Sequence, residues 1–355
     1  MANGKVVTES VALLPRSGGT LSLAQWCHLF FFMASGIATP LLVGFVKRQG
    51  ACGVRTMFSV FPNYVVMIFT VCGNWRARGR GTVRWRAVAG ATVVDAVSQG
   101  ANYTGLLLAG SGTYIVIYSS VTLWVAVLSR AVLGKRQSAA QWLGCALVSV
   151  GVAATGLNAA GTGPSVAAGV ALVALGSVGH SLAYVLMEWN TRVADDPICP
   201  ERLASLMGAG GAALFAVYEA AAVAPRWRAL VTESVAEAGG QPRLIAAGYA
   251  ALLLAFWAHA FTFYNLMTTV GATAAGVCKG LQAVGVLAMS HLLYCEPGGA
   301  AEARAQCFNG LKGAAFALVF AGVLLFSSRP SAPPPRPPPP RVKYAAISAS
   351  RSIEF

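Results

Sequence analysis

The sequence predicts an all-α integral membrane protein: ten transmembrane helices in two inverted five-helix repeats, with both termini cytosolic. Three observations predict it. The chain is too apolar for a soluble domain, its apolar residues fall into ten runs of spanning length, and its basic residues crowd onto one side of those runs.

Of 355 residues, 56% are hydrophobic and only 11% charged, whereas soluble domains carry about 25% charged residues. Mean hydropathy is +0.62. A net charge of +14 would suggest nucleic acid as the partner of a soluble protein. Here Lys and Arg sit in short loops and in the C-terminal tail, which membrane topology explains. The implied partner is the lipid bilayer, not nucleic acid. About twenty mostly polar residues precede the first apolar run, which is too long for the h-region of a signal peptide and reads as a retained signal-anchor.

A spanning helix needs about 20 apolar residues. Suitable runs lie near Leu21–Val46, Thr56–Gly73, Ala87–Ala109, Ser111–Leu133, Ala139–Asn158, Val166–Glu188, Leu203–Val223, Leu244–Asn265, Thr268–Tyr294 and Phe308–Ser327. The third and fourth nearly touch, as do the eighth and ninth, so each pair forms a tight helical hairpin. With the N-terminus cytosolic, 17 Lys and Arg fall on the cytosolic side and 8 on the other. That positive-inside bias sets the orientation.

The halves repeat. Tyr103–Lys135 lies over Tyr264–Glu296 without a gap, matching Tyr103 with Tyr264, Gly110 with Gly271, Val125 with Val286 and Ser129 with Ser290. Only five of the 33 aligned residues are identical, so the weight falls on shared order: a hairpin, a small-residue helix, a short loop and a closing helix. Five spans per half is odd, so the halves have opposite topology, a hallmark of secondary transporters with a site at mid-membrane. The organisation is then a cytosolic segment 1–20, a first repeat 21–158, a second repeat 166–328 and a tail 329–355. That tail, "RPSAPPPRPPPPRVKYAAISASRSIEF", should be polyproline II and then disordered. It reads as a solvated spacer or as a ligand for an SH3 or WW domain.

Polar residues inside the spans carry the functional reading. An ionised side chain at the bilayer centre costs about 2.5–3.5 kcal/mol by insertion scales and is usually functional. Lys279 lies deep in the ninth span, either as a ligand for an anionic solute or as a structural partner of Asp95. In the overlay it falls on Tyr118, opposing an amine to a phenol across one cavity. Tyr114 and Tyr118 are four apart and share a face, so their rings either bind a base or sugar or fill packing gaps. Asp95, Gln99, Asn102 and Tyr103 make one polar stripe on the third span. It lines a cavity or a hydrogen-bond network between helices. Asp95 is read as an ion-pair member or a proton-coupling group. Gln282 follows Lys279 by three residues, and His259 is the one histidine of four singled out as a coupling or gating residue; His28, His180 and His291 read as packing. Pro40 and Pro62 interrupt the first and second spans, freeing carbonyls for a cavity or making packing kinks.

The eight cysteines show no CxxC or Cys/His metal spacing. No metal or other cofactor is expected. Cys295 and Cys307 flank a loop on the non-cytosolic side, and a disulfide between them is one of two open states. There is no phosphate loop and no Ser/His/Asp or zinc-protease motif, so no enzyme is expected.

Gly134, Lys135, Arg136, Gln141, Trp142 and Gly144 form a Gly-Lys/Arg loop followed by Gln-Trp-x-Gly. With the small-residue repeats, this pattern resembles the drug/metabolite transporter superfamily from about Trp26 to Phe326. Within it the chain looks closest to the eukaryotic nucleotide-sugar and sugar-phosphate branch, whose members often hold a ninth-helix lysine that meets phosphate; Lys279 stands at the comparable place. The resemblance implies an alternating-access carrier of a small polar, anionic metabolite. Lys279, Tyr118, Tyr114, Tyr103, Asn102, Gln99 and Gln282 would form its site, and Asp95 and His259 would serve coupling or gating. The alternatives are a proton-coupled exporter of amines or amino acids that uses Asp95, and a membrane scaffold or trafficking protein that uses the tail. "ESVALL" and "YAAI" resemble adaptor-read sorting signals and point to an endomembrane: Golgi, endosome or vacuole/lysosome. A homodimer is left open.

Overall fold

The computed structural model describes residues 23–77, 81–160, 163–194, 196–269 and 271–327; side chains at 24, 73–77, 159, 160, 192, 264–281 and 327 fall outside the description. The N-terminal sorting motif and the whole proline-rich tail lie outside the described residues.

Every regular element described is helical. The helices are α1 Leu23–Arg48, α2 Phe61–Met67, α3 Trp85–Ala109, α4 Ser111–Tyr118, α5 Val121–Leu133, α6 Ala139–Ala160, α7 Pro164–Glu188, α8 Pro200–Tyr218, α9 Glu233–Glu237, α10 Pro242–Thr269, α11 Gly271–Tyr294, α12 Ala301–Arg304 and α13 Gly310–Ser327. Among the described residues six helices are long and apolar enough to cross a membrane. The outer faces of the bundle's helices are oily: Leu157, Leu292, Val97 and Leu175 are 78%, 73%, 70% and 69% exposed, while Asp95, Asn102, Thr113 and Gln141 are buried. Apolar outside and polar inside reverses the soluble pattern. The chain is a multi-pass, all-helical membrane protein.

Three spans depart from expectation. The second opens at Phe61, five residues later than the apolar run suggests, and tightens into a 3-10 helix over Ile68–Ala77. Pro62 therefore sits in the first turn of α2, where its missing N–H costs nothing, and does not interrupt a span. Pro40 does lie inside α1. The fourth span breaks between α4 and α5 at Ser119–Ser120, where amides of Ser119 and Ser120 reach the carbonyls three residues back, on Val116 and Ile117. The seventh reaches Val223 as expected but turns π-helical over Glu219–Val223.

Local physics accounts for the Gly-Lys…Gln-Trp-x-Gly stretch. Gly134 takes the left-handed conformation (φ 66°) that ends α5, one that a side chain resists. Lys135 ion-pairs with Glu188 at the end of α7. Ser138 and Gln141 form a capping box at the start of α6: the Ser138 amide donates to Gln141 Oε1 at 2.8 Å and the Gln141 amide to Ser138 Oγ at 3.3 Å. Gly144 lets α6 press against α13.

The main packing partners are α3 with α7, α1 with α10, α6 with α13 and α2 with α8; α4–α5 packs on α7 and on α11, and α1 on α11. Cys295 and Cys307 are joined in a disulfide.

Candidate functional site

A cavity of about 170 Å³ opens in the middle of the bundle, room for roughly five to ten water molecules. It takes residues from α1, α2, α3, α4, α5, α7, α10, α11 and α13. Of the residues singled out in the sequence, Asp95, Gln99, Tyr103, Tyr114, Tyr118, His259 and Gln282 line it. Pro40, Asn63, His180 and Tyr184 join them.

Asn102 belongs elsewhere. It is fully buried behind the wall, donating to Gln99 Oε1 at 3.2 Å, with Gly176 of α7 against its carboxamide. The side chain of Lys279 lies outside the described residues, although its backbone belongs to α11. A Lys279 contact to Asp95 therefore falls outside the described side chains, and the described partners of Asp95 are Tyr64 and His180. Tyr64 donates to Asp95 Oδ2 at 2.7 Å, and Asp95 Oδ1 lies 2.8 Å from Nδ1 of His180. A buried carboxylate needs such donors to offset desolvation. Tyr64 is itself fully buried, stacked on Phe215 at 5.5 Å.

The walls are aromatic. Tyr114 and Tyr118 stack at 5.2 Å, His180 lies 4.4 Å from Tyr184, and Tyr184 lies 6.1 Å from Phe263. His259 stacks on Phe32 at 4.8 Å, with Nδ1 3.3 Å from Ser35 Oγ. Gln282 donates to the Phe32 carbonyl at 2.8 Å, its carboxamide lying over Gly36. The hydroxyls beside the tyrosines divide. Ser119 bonds its own helix at Ile115 O, whereas Thr113 reaches Ala305 O at 3.1 Å. The α4/α5 break is part of the wall, since Tyr118, Ser119, Val121 and Thr122 all line it. Sequence reasoning missed His180 and Tyr64. The i, i+4 spacing of His180 and Tyr184 was the available signal.

Ion pairs mark both ends of the bundle. At one end Lys47 pairs with Glu302 and donates to Leu107 O at 2.6 Å, and Arg48 pairs with Glu296 at 3.0 Å while lying 4.8 Å over the ring of Tyr294. Nearby, Ser111, Ser290 and Gln306 share hydrogen bonds of 2.7–3.0 Å. At the other end Lys135 pairs with Glu188. These ends are opposite. Gly169, near the start of α7, packs on Leu108 and Ala109, so Glu188, which closes the helix, lies about 28 Å away at 1.5 Å per residue.

No protein-family model matches the chain, and no curated protein matches it. Ten solved chains match by structure. One, described as the crystal structure of a protein, is 20% identical, with TM-score 0.49 over 84% of this chain and 96% of its own. Likeness at that level carries no argument about function.

Proposed function

We propose that the chain is a secondary transporter, not an enzyme, moving a small polar metabolite by alternating access. The solute class is an anion such as a sugar phosphate or nucleotide sugar. The observation that carries this reading is the central cavity, walled by tyrosines, amides and a buried carboxylate drawn from both halves of the chain. Ten spans are read as six long apolar helices, three shorter apolar ones and α3. Two inverted repeats are supported by the packing pattern. Exchanging α1 with α7, α2 with α8, α3 with α10, α4–α5 with α11 and α6 with α13 turns the α3–α7 contact into α10–α1 and the α5–α7 contact into α11–α1. The α2–α8, α4–α11 and α6–α13 contacts map onto themselves, as a two-fold in the membrane plane requires. Both termini are then cytosolic, and the Cys295–Cys307 disulfide falls on the opposite, oxidising side. Lys279, one turn before Gln282, is the group assigned to the anion.

One observation favours a second reading. Among the described lining residues Asp95 is the sole carboxylate and none is Lys or Arg, which suits an amine or amino-acid exporter. Purified protein in liposomes separates the two. Saturable uptake of glucose 6-phosphate or UDP-glucose, lowered at least about tenfold by Lys279→Ala (about 1.4 kcal/mol), supports the anion reading. Uptake of agmatine alone favours the second, and uptake of neither overturns transport.

Gly36→Ala tests the wall. The added methyl meets the end of the Gln282 side chain, which can swing away from Phe32 O. Stability should fall by less than about 1 kcal/mol, while uptake drops several-fold because the carboxamide is pushed into the cavity.

A further inference from the structure

We propose that the Asp95–His180 pair is a proton-binding site that couples solute movement in this cavity to a proton gradient. The inference rests on the transport reading and adds the coupling ion to it. Both residues line the cavity, and each is 5% exposed. The imidazole Nδ1 is held 2.8 Å from the carboxylate, whose other oxygen accepts from Tyr64 at 2.7 Å. With Nδ1–H committed to Asp95, Nε2 is the nitrogen that takes up and gives back a proton. A carboxylate fixes tautomer and orientation in just this way. Histidine is the side chain whose ordinary titration falls between pH 5 and 8.

Loading changes the charge of the pair from −1 to 0. Inside the bundle, where charges are screened less than in bulk water, that difference acts on a charged solute. An anion is held better when the pair is loaded, which gives symport with the proton; a cation is held better when it is empty, which gives antiport. The pair also spans the halves: Asp95 is on α3, Tyr64 on α2 and His180 on α7. The backbones of α3 and α7 pack closely, with Gly169 O 2.6 Å from where a Cβ on Gly105 would stand. Proton occupancy therefore acts on the seam that must rearrange between outward and inward states.

Among the described residues the titratable groups around His180 are Asp95 and Tyr103 of α3, Tyr64 of α2 behind Asp95, Tyr114 and Tyr118 of α4, Tyr184 of α7 and His259 of α10. From α5 come Val121 and Thr122, and from α11 Gln282. Among the described residues α6 and α12 contribute nothing to the cavity. The hydroxyls donate without adding charge, and His259 is held separately by Ser35 and Phe32.

The test uses full-length protein in liposomes with radiolabelled glucose 6-phosphate, UDP-glucose and agmatine as probes. With the exterior about one pH unit more acidic, one proton per anion should drive accumulation towards about tenfold; agmatine, by antiport, should accumulate from an interior more acidic by the same step. Both gradient effects should vanish in His180→Gln and in Asp95→Asn. Uptake indifferent to the gradient in the unaltered protein overturns the coupling site and leaves transport standing. Accumulation that survives His180→Gln also overturns it. No uptake of any probe sinks the transport reading and this proposal together. Should the polar variants fail to fold by gel filtration, Tyr64→Phe serves instead. Losing its donor makes the carboxylate hold the imidazolium proton more strongly, so half-maximal uptake moves to higher pH; an unmoved pH profile counts against the proposal.

Discussion

Gly144→Val is expected to lose about 3 kcal/mol of stability, a fall of several degrees in the thermal midpoint of the purified protein. A Cβ on Gly144 would stand 2.6 Å from Gly322 O and 2.8 Å from the Phe326 amide nitrogen; a Cβ on Gly322 would stand 2.6 Å from Gly144 O. These are backbone atoms on the facing helix and cannot swing aside. The two helices must part, giving up the dispersion contacts that hold membrane helices together where water exclusion contributes little. Gly151 extends the seam, its Cβ position 2.5 Å from Ala315 O. Adding Gly322→Val to Gly144→Val should cost less than the sum of the two, because the first separation makes room for the second. Gly90→Val is the control, since nothing stands within 4 Å of its Cβ position, and its change should stay within about 0.5 kcal/mol. Equal loss at Gly90 and Gly144 would mean that close helix approach is not what the glycine supplies.

That seam was half visible in the sequence. The Gln141-Trp142-x-Gly144 motif was picked out, but not why each residue stands there: the capping box and the glycine contact appear only once α6 has a start and a neighbour. Helix ends were legible where an apolar run met Gly or a charge, as at Gly110 and Gly134. They were not legible around Pro62, because proline in a first turn and proline in mid-span look alike until the boundary is known. The polar stripe on α3 shows a similar limit. At 100° per residue Asn102 and Asp95 differ by only 20° in direction, yet Asn102 lies towards α7 and Gly176 while Tyr103, 80° from Asp95, faces the cavity. Periodicity gives a face; the opposing helix decides what the face meets. For the same reason the sequence offers Lys279 as one partner for Asp95 but gives no sign of His180, which sits 2.8 Å away on α7.

Lys135→Glu combined with Glu188→Lys is expected to restore the exchange that either change alone suppresses. In the repeat overlay Lys135 falls on Glu296, and exchanging α1 with α7 sets Lys47 and Arg48 against Glu188. One end of the bundle thus joins cations on α1 to acids beyond α11, and the other joins an acid on α7 to a cation beyond α5. The device is the same with its charges inverted, as expected if each pair closes its own side of an alternating-access carrier. Lys135 and Glu188 are 25% and 27% exposed. A charged hydrogen bond contributes about 1.5–3 kcal/mol, discounted towards about 1–2 for that exposure, or roughly tenfold in the balance of the two closed states. Glu188→Lys alone, facing Lys135, should therefore slow counterflow of the transported solute about tenfold, and the double reversal should recover it to within about threefold. Lys47→Glu with Glu302→Lys should behave in parallel at the opposite end. If the double reversal is no faster than the single change, the pair does not close that end, and Lys135 is only a charge on a loop.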